Sequence, residues 1–344
     1  MKIVAVSHSV PSTRVTPDWI VERIRARNEG HLDAGELSKL ENALRNGITR
    51  AGGREKYTLG ADEYAIDIVE KACRIVFSAT AWNAPDLDFV IYASVARGAL
   101  EPATANNIMD RIGASTATGF DLLDACTGWL RALEVARGLL ACGRYRRGMI
   151  VTCECGLGGL AKWDYNSAAE LSPYLATFTM GEAATATLVE QDETDDFHFV
   201  FRNYPEYNDL CTIPLPSAKQ FASRGGEPNT DIGRFSARSR DLLSIATDKI
   251  IEAFHADPVL RDAHYDVAFG HAASEESCEY VRESIGVAED IYFPTHSGYG
   301  NTVSSAVPLG LSLAVNEGKL HKGNAVLVIV GGAGISIGLA RFTY

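Results

Sequence analysis

Residues 121–130 read Asp121-Leu122-Leu123-Asp124-Ala125-Cys126-Thr127-Gly128-Trp129-Leu130, where an apolar run turns into a helical pattern. Beyond it Leu130, Leu133, Val135, Ala136, Leu139 and Leu140 recur at helical spacing, with Arg131, Glu134 and Arg137 on the other face. Cys126 therefore opens a predicted helix. A thiol there feels the positive end of the macrodipole and the unpaired backbone N–H groups, and both favour thiolate, the nucleophilic form. Taken alone, the decapeptide reads more simply as a small buried Cys packed under a helix.

The chain carries a second copy of this neighbourhood. Residues 138–151, Gly-Leu-Leu-Ala-Cys-Gly-Arg-Tyr-Arg-Arg-Gly-Met-Ile-Val, and residues 313–326, Leu-Ala-Val-Asn-Glu-Gly-Lys-Leu-His-Lys-Gly-Asn-Ala-Val, share one plan. Each is a helix end, a Gly, four mostly basic residues, a second Gly and a β-rich apolar run. Gly143 matches Gly318 and Gly148 matches Gly323, both 175 residues apart. The same offset carries Cys126 onto Asn301, which also precedes a helical apolar run. Two halves related by a pseudo-twofold would bring both helix starts to one site. Asp266-Val-Ala-Phe-Gly-His271, the counterpart of Asp88–Ser94, adds a His at the carboxyl end of a short strand. That is where ligands bind in open α/β sheets.

With these pieces assembled, the chain resembles thiolase-fold enzymes close to β-ketoacyl-(acyl-carrier-protein) synthase III over nearly its whole length. The matching pieces are Arg45–Arg50, Asp88–Ser94, Phe120–Gly128, Met180–Ala184, His271, Gly300-Asn301-Thr302 and Gly332–Gly338. The resemblance implies an α/β thiolase fold, with two pseudo-symmetric halves in a five-layer α-β-α-β-α sandwich. It implies a Cys126, His271 and Asn301 triad, and an oxyanion hole from the backbone N–H groups of Cys126 and Ala333. Family members commonly have Gly where Ala333 stands, but a backbone donor tolerates the change. It also implies a homodimer, for which Phe89–Ala93, Ala103–Ile112 and Tyr174–Thr179 are the apolar candidates.

The residue types suit acyl transfer followed by decarboxylative condensation. A thiolate holds the acyl group. An enolate formed by decarboxylating a malonyl thioester needs neutral donors, which a His N–H and an Asn N–H supply. Asn cannot act as a base, so its presence beside Cys and His favours enolate stabilisation over hydrolysis. Two other classes stay open: an acyltransferase that passes the acyl group to oxygen or nitrogen without releasing carbon dioxide, and a non-catalytic partner subunit. Intact Cys126, His271 and Asn301 argue against the second.

The departures from the family concern the acyl donor. Glu41 is matched to a Trp that stacks on the coenzyme A adenine, Glu276 stands where an Arg is usual, and His271-Ala-Ala-Ser274 replaces His-Gln-Ala-Asn. Acidic residues repel phosphates, so the acyl donor is expected as acyl-ACP, or as acyl-CoA bound in a different way, in a specialised-metabolism relative. The carrier-bound group is expected to be used better than free acyl-CoA. No tightly bound cofactor is expected.

Composition narrows the class further. The 344 residues carry a net charge of −12, and 46% are hydrophobic, enough for a large core. An acidic chain disfavours nucleic acid and anionic membranes as partners. The basic cluster Arg144–Arg147 reads as a solvated turn, with an acidic carrier protein as the alternative. Seven Cys, a Met-Lys-Ile-Val start and no apolar run of about 18 residues point to a reduced, cytoplasmic protein. Cys153 and Cys155 have no second pair at zinc spacing, so no metal is expected.

The halves are placed at 1–190, with the nucleophile, and 191–344, with His and Asn, about the acidic stretch Glu190–Asp196. Helices are predicted at 20–47, 64–81, 103–112, 128–142, 237–255, 274–285 and 302–317, and strands at 2–7, 149–154, 183–189, 197–202, 266–270, 324–330 and 337–343. Residues 203–236, rich in Pro and Gly, have no counterpart and read as a lid or binding loop. Gly332-Ala-Gly334 is no dinucleotide fingerprint, because a strand rather than a helix follows it.

Overall fold

The computed structural model describes residues 1–155, 157–221, 231–271 and 273–344. Gly225, Gly226 and Pro228 of the Pro- and Gly-rich stretch 203–236, and Ala272, lie outside the described residues. The first half builds a sheet from β1 (Lys2–Ser9), β2 (Phe89–Tyr92), β3 (Thr118–Asp121), β4 (Arg147–Glu154) and β5 (Ala183–Glu190), in the order β1-β5-β4-β2-β3. The second builds one from β6 (His198–Asn203), β7 (Val267–Gly270), β8 (Ala325–Gly332) and β9 (Ser336–Thr343), in the order β6-β9-β8-β7. Read from β1 and from β6, both run antiparallel, antiparallel, parallel. The place of β3 is reduced in the second sheet to a bridge between Ala268 and Tyr292.

Helices complete the five layers. Among the described residues the principal ones are α1 (Pro17–Asn28), α2 (Ala34–Ala51), α3 (Ala65–Ser78), α4 (Thr104–Ile112), α5 (Gly128–Ala141), α6 (Ser239–Ala256), α7 (Glu275–Ser284) and α8 (Ala306–Asn316). The middle layer is α5 and α8. Nearly every position of α8 from Ala306 to Ala314 is buried, as an all-round apolar helix requires. Their side chains join those of Ile91, Ile150, Phe269, Val328 and Ala340 in the core between the sheets. The outer face of the first sheet is covered by α3 and α4, and that of the second by α6 and α7. β2 is buried at all four positions, which explains its unbroken Phe-Val-Ile-Tyr run.

Several expectations change. The helix expected at 20–47 is two, because Gly30 interrupts it and Asp33 caps a new start by accepting from the N–H groups of Gly35 and Glu36. Arg45–Arg50 consequently lies inside α2, which ends at Gly52 with φ of 86°. Phe89–Ala93 is buried within the protomer and cannot form a dimer contact. β3 instead forms an edge of its sheet.

The repeat is real but its offset is not constant. Gly143 and Gly318 each follow a central helix with a left-handed φ, 75° and 66°. Gly148, by contrast, lies inside β4, while Gly323 precedes β8 and takes φ of 93°. The 3-10 turns that lead into the central helices, Ala125–Thr127 and Val303–Ser305, are 178 apart, as are the starts of β4 and β8. α8 is three residues shorter than α5, and the loop after it is longer by as many. The symmetry partner of Cys126 is therefore Ser304, and the match to Asn301 is withdrawn.

Candidate active site

The two helix starts do meet. The turns at Ala125–Thr127 and Val303–Ser305 pack against each other, and Ser94 Oγ at the exit of β2 lies 3.2 Å from Ser304 Oγ. Each turn begins on a non-glycine residue in the left-handed region, Ala125 at φ 45° and Val303 at φ 48°. A β-branched residue there costs about 1–3 kcal/mol and persists only where the surroundings enforce it.

Cys126 is partly buried, beside the β8–β9 turn. A Cβ on Gly332 would stand 3.1 Å from Cys126 Cβ, so this close approach needs glycine. The strand β9 follows, as the sequence requires. The backbone N–H groups of Ala333 and of Cys126 itself favour a thiolate, but burial outweighs them, and Cys211 and Glu154 add to the effect. The net shift is upward, so Cys126 rests as a thiol. The helix-start argument for a resting thiolate fails because the sulfur is desolvated. The backbone N–H groups of Ala333 and Cys126 both lie close enough to the sulfur to act on it.

His271 follows β7 directly, and its N–H donates to Ile329 O at 2.8 Å. Burial lowers its pKa to about 4; His296 lowers it further, and the backbone of Val303 opposes. The ring is neutral at pH 7. Among the described residues its Nδ1 has no hydrogen-bond partner. Asn301 is fixed on both sides of its backbone: its N–H donates to Thr179 O at 2.9 Å, and its carbonyl accepts from Gly181 N–H at 3.0 Å. A Cβ on Gly181 would stand 1.9 Å from Tyr299 O, which accounts for that glycine. The Val303 N–H donates to Asn301 Oδ1 at 2.9 Å. This assigns the amide orientation and leaves Nδ2 as the outward donor. Among the described residues no hydrogen bond joins Cys126 directly to His271 or Asn301.

A cleft of about 1210 Å³ opens between α2, the 168–179 turn, α6 and α7, and reaches Asn301. Leu175, Ala176 and Leu243 are among its apolar lining. Glu276 lines it, as the sequence suggested, but Glu41 does not: it accepts from Arg25 Nε and Nη2 at 2.7 and 2.6 Å across the α1–α2 pair. Arg50, Arg238 and Arg240 also line the cleft, so its charge is mixed rather than acidic. The described parts of 203–236 close one side. Cys211–Thr212 pairs with Ser236–Ala237, Tyr174 Oη donates to Asp231 Oδ2 at 2.8 Å, and Phe235 lines the cleft.

Three buried groups escaped the sequence reading. Glu154 ends β4 and lies near Cys126. His296 is buried close enough to His271 to disfavour its protonation. Lys56 donates to Phe178 O beneath the Asn301 crossing, with burial lowering its pKa to about 7 against the pull of Glu182. For Glu154 a signal existed: a lone charge at the carboxyl end of an apolar strand, the same signal that singled out His271. Cys153 and Cys155 stand 3.5 Å apart at their sulfurs, and no cluster of metal-ligating residues occurs among the described residues. None of the described helices is long and apolar enough to cross a membrane.

Two helix starts that meet in the middle layer of a five-layer sandwich, with a thiol on one and an amide and a neutral imidazole on separate segments of the second half, fit a thiolase-fold condensing enzyme. Residues 120–205 match the model of 3-oxoacyl-[acyl-carrier-protein (ACP)] synthase III, and residues 257–344 match its C-terminal model. Together these are just over half of the chain, and the chain belongs to that family. The β-ketoacyl-[acyl-carrier-protein] synthase III of Clostridium perfringens is 25% identical over 312 residues, 85% of this chain and 88% of the relative. That of Listeria innocua is 27% identical over 290 residues, 84% and 86%. Among solved structures, a variant of Xanthomonas campestris OleA superposes with a TM-score of 0.83 at 20% identity, covering 99% of this chain and 98% of that one. The Aquifex aeolicus 3-oxoacyl-[acyl-carrier-protein] synthase III gives 0.79 at 18% identity, covering 100% and 99%. At such identities these structures speak for the fold.

Proposed function

We propose that the protein forms an acyl thioester on Cys126 and transfers the acyl group by decarboxylative Claisen condensation to a malonyl-type thioester. In the first half-reaction Cys126 Sγ bonds to the acyl carbon, the donor C–S bond breaks, and the Cys126 proton ends on the departing thiol. The developing oxyanion is held by the N–H groups of Cys126 and Ala333. In the second, the malonyl carboxylate leaves as carbon dioxide. The electron pair forms an enolate whose oxygen accepts from His271 and from Asn301 Nδ2. The enolate carbon then attacks the Cys126 thioester, the C–S bond breaks, and Sγ leaves as a thiolate that takes a proton from solvent to restore the thiol.

The observation that carries this reading is the Val303 N–H on Asn301 Oδ1, which leaves Nδ2 as the donor end of the amide, while the backbone of the same Val303 also acts on the neutral His271 ring. Two neutral donors suit an enolate, whereas hydrolysis needs a base. The test is release of labelled carbon dioxide from a malonyl thioester, with intact-mass detection of an acyl adduct that Cys126→Ala abolishes. An adduct without carbon dioxide release would favour transfer to oxygen or nitrogen.

The donor expectation is weakened by the cleft. Glu41 is remote from it, and three arginines balance Glu276 and its acidic neighbours, so coenzyme A thioesters rank beside a carrier protein as donors. Xanthomonas campestris OleA has been seen with lauric acid and lauroyl-CoA, which makes lauroyl-CoA a reasonable first probe. A homodimer through the β3 edge belongs to the same proposal, with Leu100 and Leu123 exposed nearby. Sedimentation at low micromolar concentration should give twice the 37.1 kDa chain mass, and a fully active monomer would refute it.

A further inference from the structure

We infer that Glu154 is a positioning residue for the catalytic constellation, its carboxylate pinning the Ser304 turn, and with it Asn301, to the loop that follows β2. The inference rests on the reading of Asn301 given above. Glu154 is the last residue of β4 and is 4% exposed. Its Oε1 accepts from Val95 N–H at 3.1 Å and from Ser304 Oγ at 2.6 Å, and its Oε2 accepts from Ala96 N–H at 3.1 Å. Burial raises the pKa of Glu154, while the Ser304 hydroxyl and the backbone of Val95, Ala96 and Ser304 oppose that shift. One carboxylate thus gathers donors from both halves of the chain.

The neighbouring contacts point the same way. Ser94 Oγ accepts from Cys153 N–H at 2.8 Å and touches Ser304 Oγ. Ser305 Oγ lies 2.8 Å from Thr152 Oγ1 and donates to Ala183 O at 3.2 Å. The two serines therefore anchor the turn on β4 and on the start of β5. What the anchoring maintains is the left-handed Val303, whose N–H fixes Asn301 Oδ1. Left unanchored, Val303 can relax to negative φ, its N–H leaves Asn301, and the amide is free to rotate. A carboxylate that served only to stabilise the core would need no contact with this turn.

The test uses Glu154→Gln, Ser304→Ala and the double variant in the full chain. Ser304→Ala removes one hydroxyl and leaves Glu154 its two loop donors, so it is the gentler probe should Glu154→Gln fold poorly. Hydrogen exchange of the peptide 296–306 should accelerate roughly tenfold or more in both, with the core strand 183–190 unchanged. The malonyl-dependent step should fall roughly tenfold, while acylation of Cys126 stays within about threefold. The double variant should be no worse than Glu154→Gln, since both act through one hydrogen bond. Unchanged exchange at 296–306 in Ser304→Ala, or equal loss in both half-reactions with a general fall in stability, would overturn the inference. Should the wild type release no carbon dioxide at all, the proposed function fails while the exchange measurement still decides the role of Glu154.

Discussion

Ala125 and Val303 take nearly the same left-handed φ, each one residue before the centre of a turn that opens a central helix, and there the likeness of the two regions ends. After Ala125 comes Cys126, partly accessible, with two backbone donors at its sulfur. After Val303 comes Ser304, 1% exposed and bound to Glu154. The amide of the proposed mechanism, Asn301, lies three residues earlier, on a segment that crosses Thr179–Gly181. The comparison teaches that the pseudo-twofold preserves a strained backbone turn rather than a pair of matching side chains. In the proposed mechanism one copy of the turn holds the nucleophile, and the other aims a neighbour.

The sharpest way to break this comparison is to move the thiol across the pseudo-twofold. Cys126→Ala should abolish the acyl adduct and reduce condensation to the uncatalysed background. Cys126→Ala combined with Ser304→Cys should restore neither. A thiol at 304 would be sealed from solvent and would face the Glu154 carboxylate, which disfavours thiolate. Intact-mass measurement with an acyl thioester reads both variants. An adduct on residue 304 would mean that the two turns are chemically interchangeable, against the division argued above.

A somewhat smaller effect separates the half-reactions. Asn301→Ala removes one aimed donor, and losses for such donors run to about 10²–10³-fold in rate. That loss should fall on the malonyl-dependent step, leaving acylation of Cys126 within about threefold. Asn301→Asp sharpens the point. Its carboxylate can still accept from Val303 N–H, but the Nδ2 donor is gone, so it should fail as well. Rapid-quench single turnovers distinguish the steps, and wild-type condensation by Asn301→Ala would remove the basis for the enolate reading.

How far the sequence carries to this site depends on the kind of signal. The Phe-Val-Ile-Tyr strand, the periodic helix after Cys126 and the Gly-punctuated end of each half are patterns of local burial. They are legible because burial is what spaces apolar residues. The offset between the halves was misread because Gly143 and Gly318 report the ends of the central helices, and the three-residue difference in length lies between those ends and the turns. The resting state of Cys126 was misread for another reason. A helix start is a local feature, whereas desolvation depends on Cys211, Glu154 and the β8–β9 turn, which are distant in sequence. His296 and Lys56 act through contacts between loops, so no spacing rule singles them out, whereas Glu154 carries the positional signal of a lone charge at the end of an apolar strand. Glu41 shows the reverse error: a position matched along the chain proved to face another helix.

The mildest test concerns the charge on His271, the partner of Asn301 on the second side of the comparison. Its pKa is lowered to about 4, chiefly by burial, with His296 adding to the shift. A neutral ring donates to an enolate without first losing a proton, so the malonyl-dependent step should keep most of its rate at pH 5.5. Its acid limb should lie near pH 4 rather than near the usual His value of about 6.5. The sign for stability follows from linkage. Between about 6.5 and about 4 the unfolded chain binds a proton at this ring that the folded protein does not, so its contribution to stability falls as the pH drops through that window. Buried His8 shifts in the same direction, so the readout is the difference in urea midpoint between wild type and His271→Gln across the window. That difference should move in favour of the variant as the pH falls. A rate profile that turns down near pH 6.5, with no divergence between the two proteins, would show that burial does not hold the ring neutral. A rate that instead rises as the pH falls through the ring's pKa would show that it works as a cation and would remove one of the two neutral donors from the mechanism.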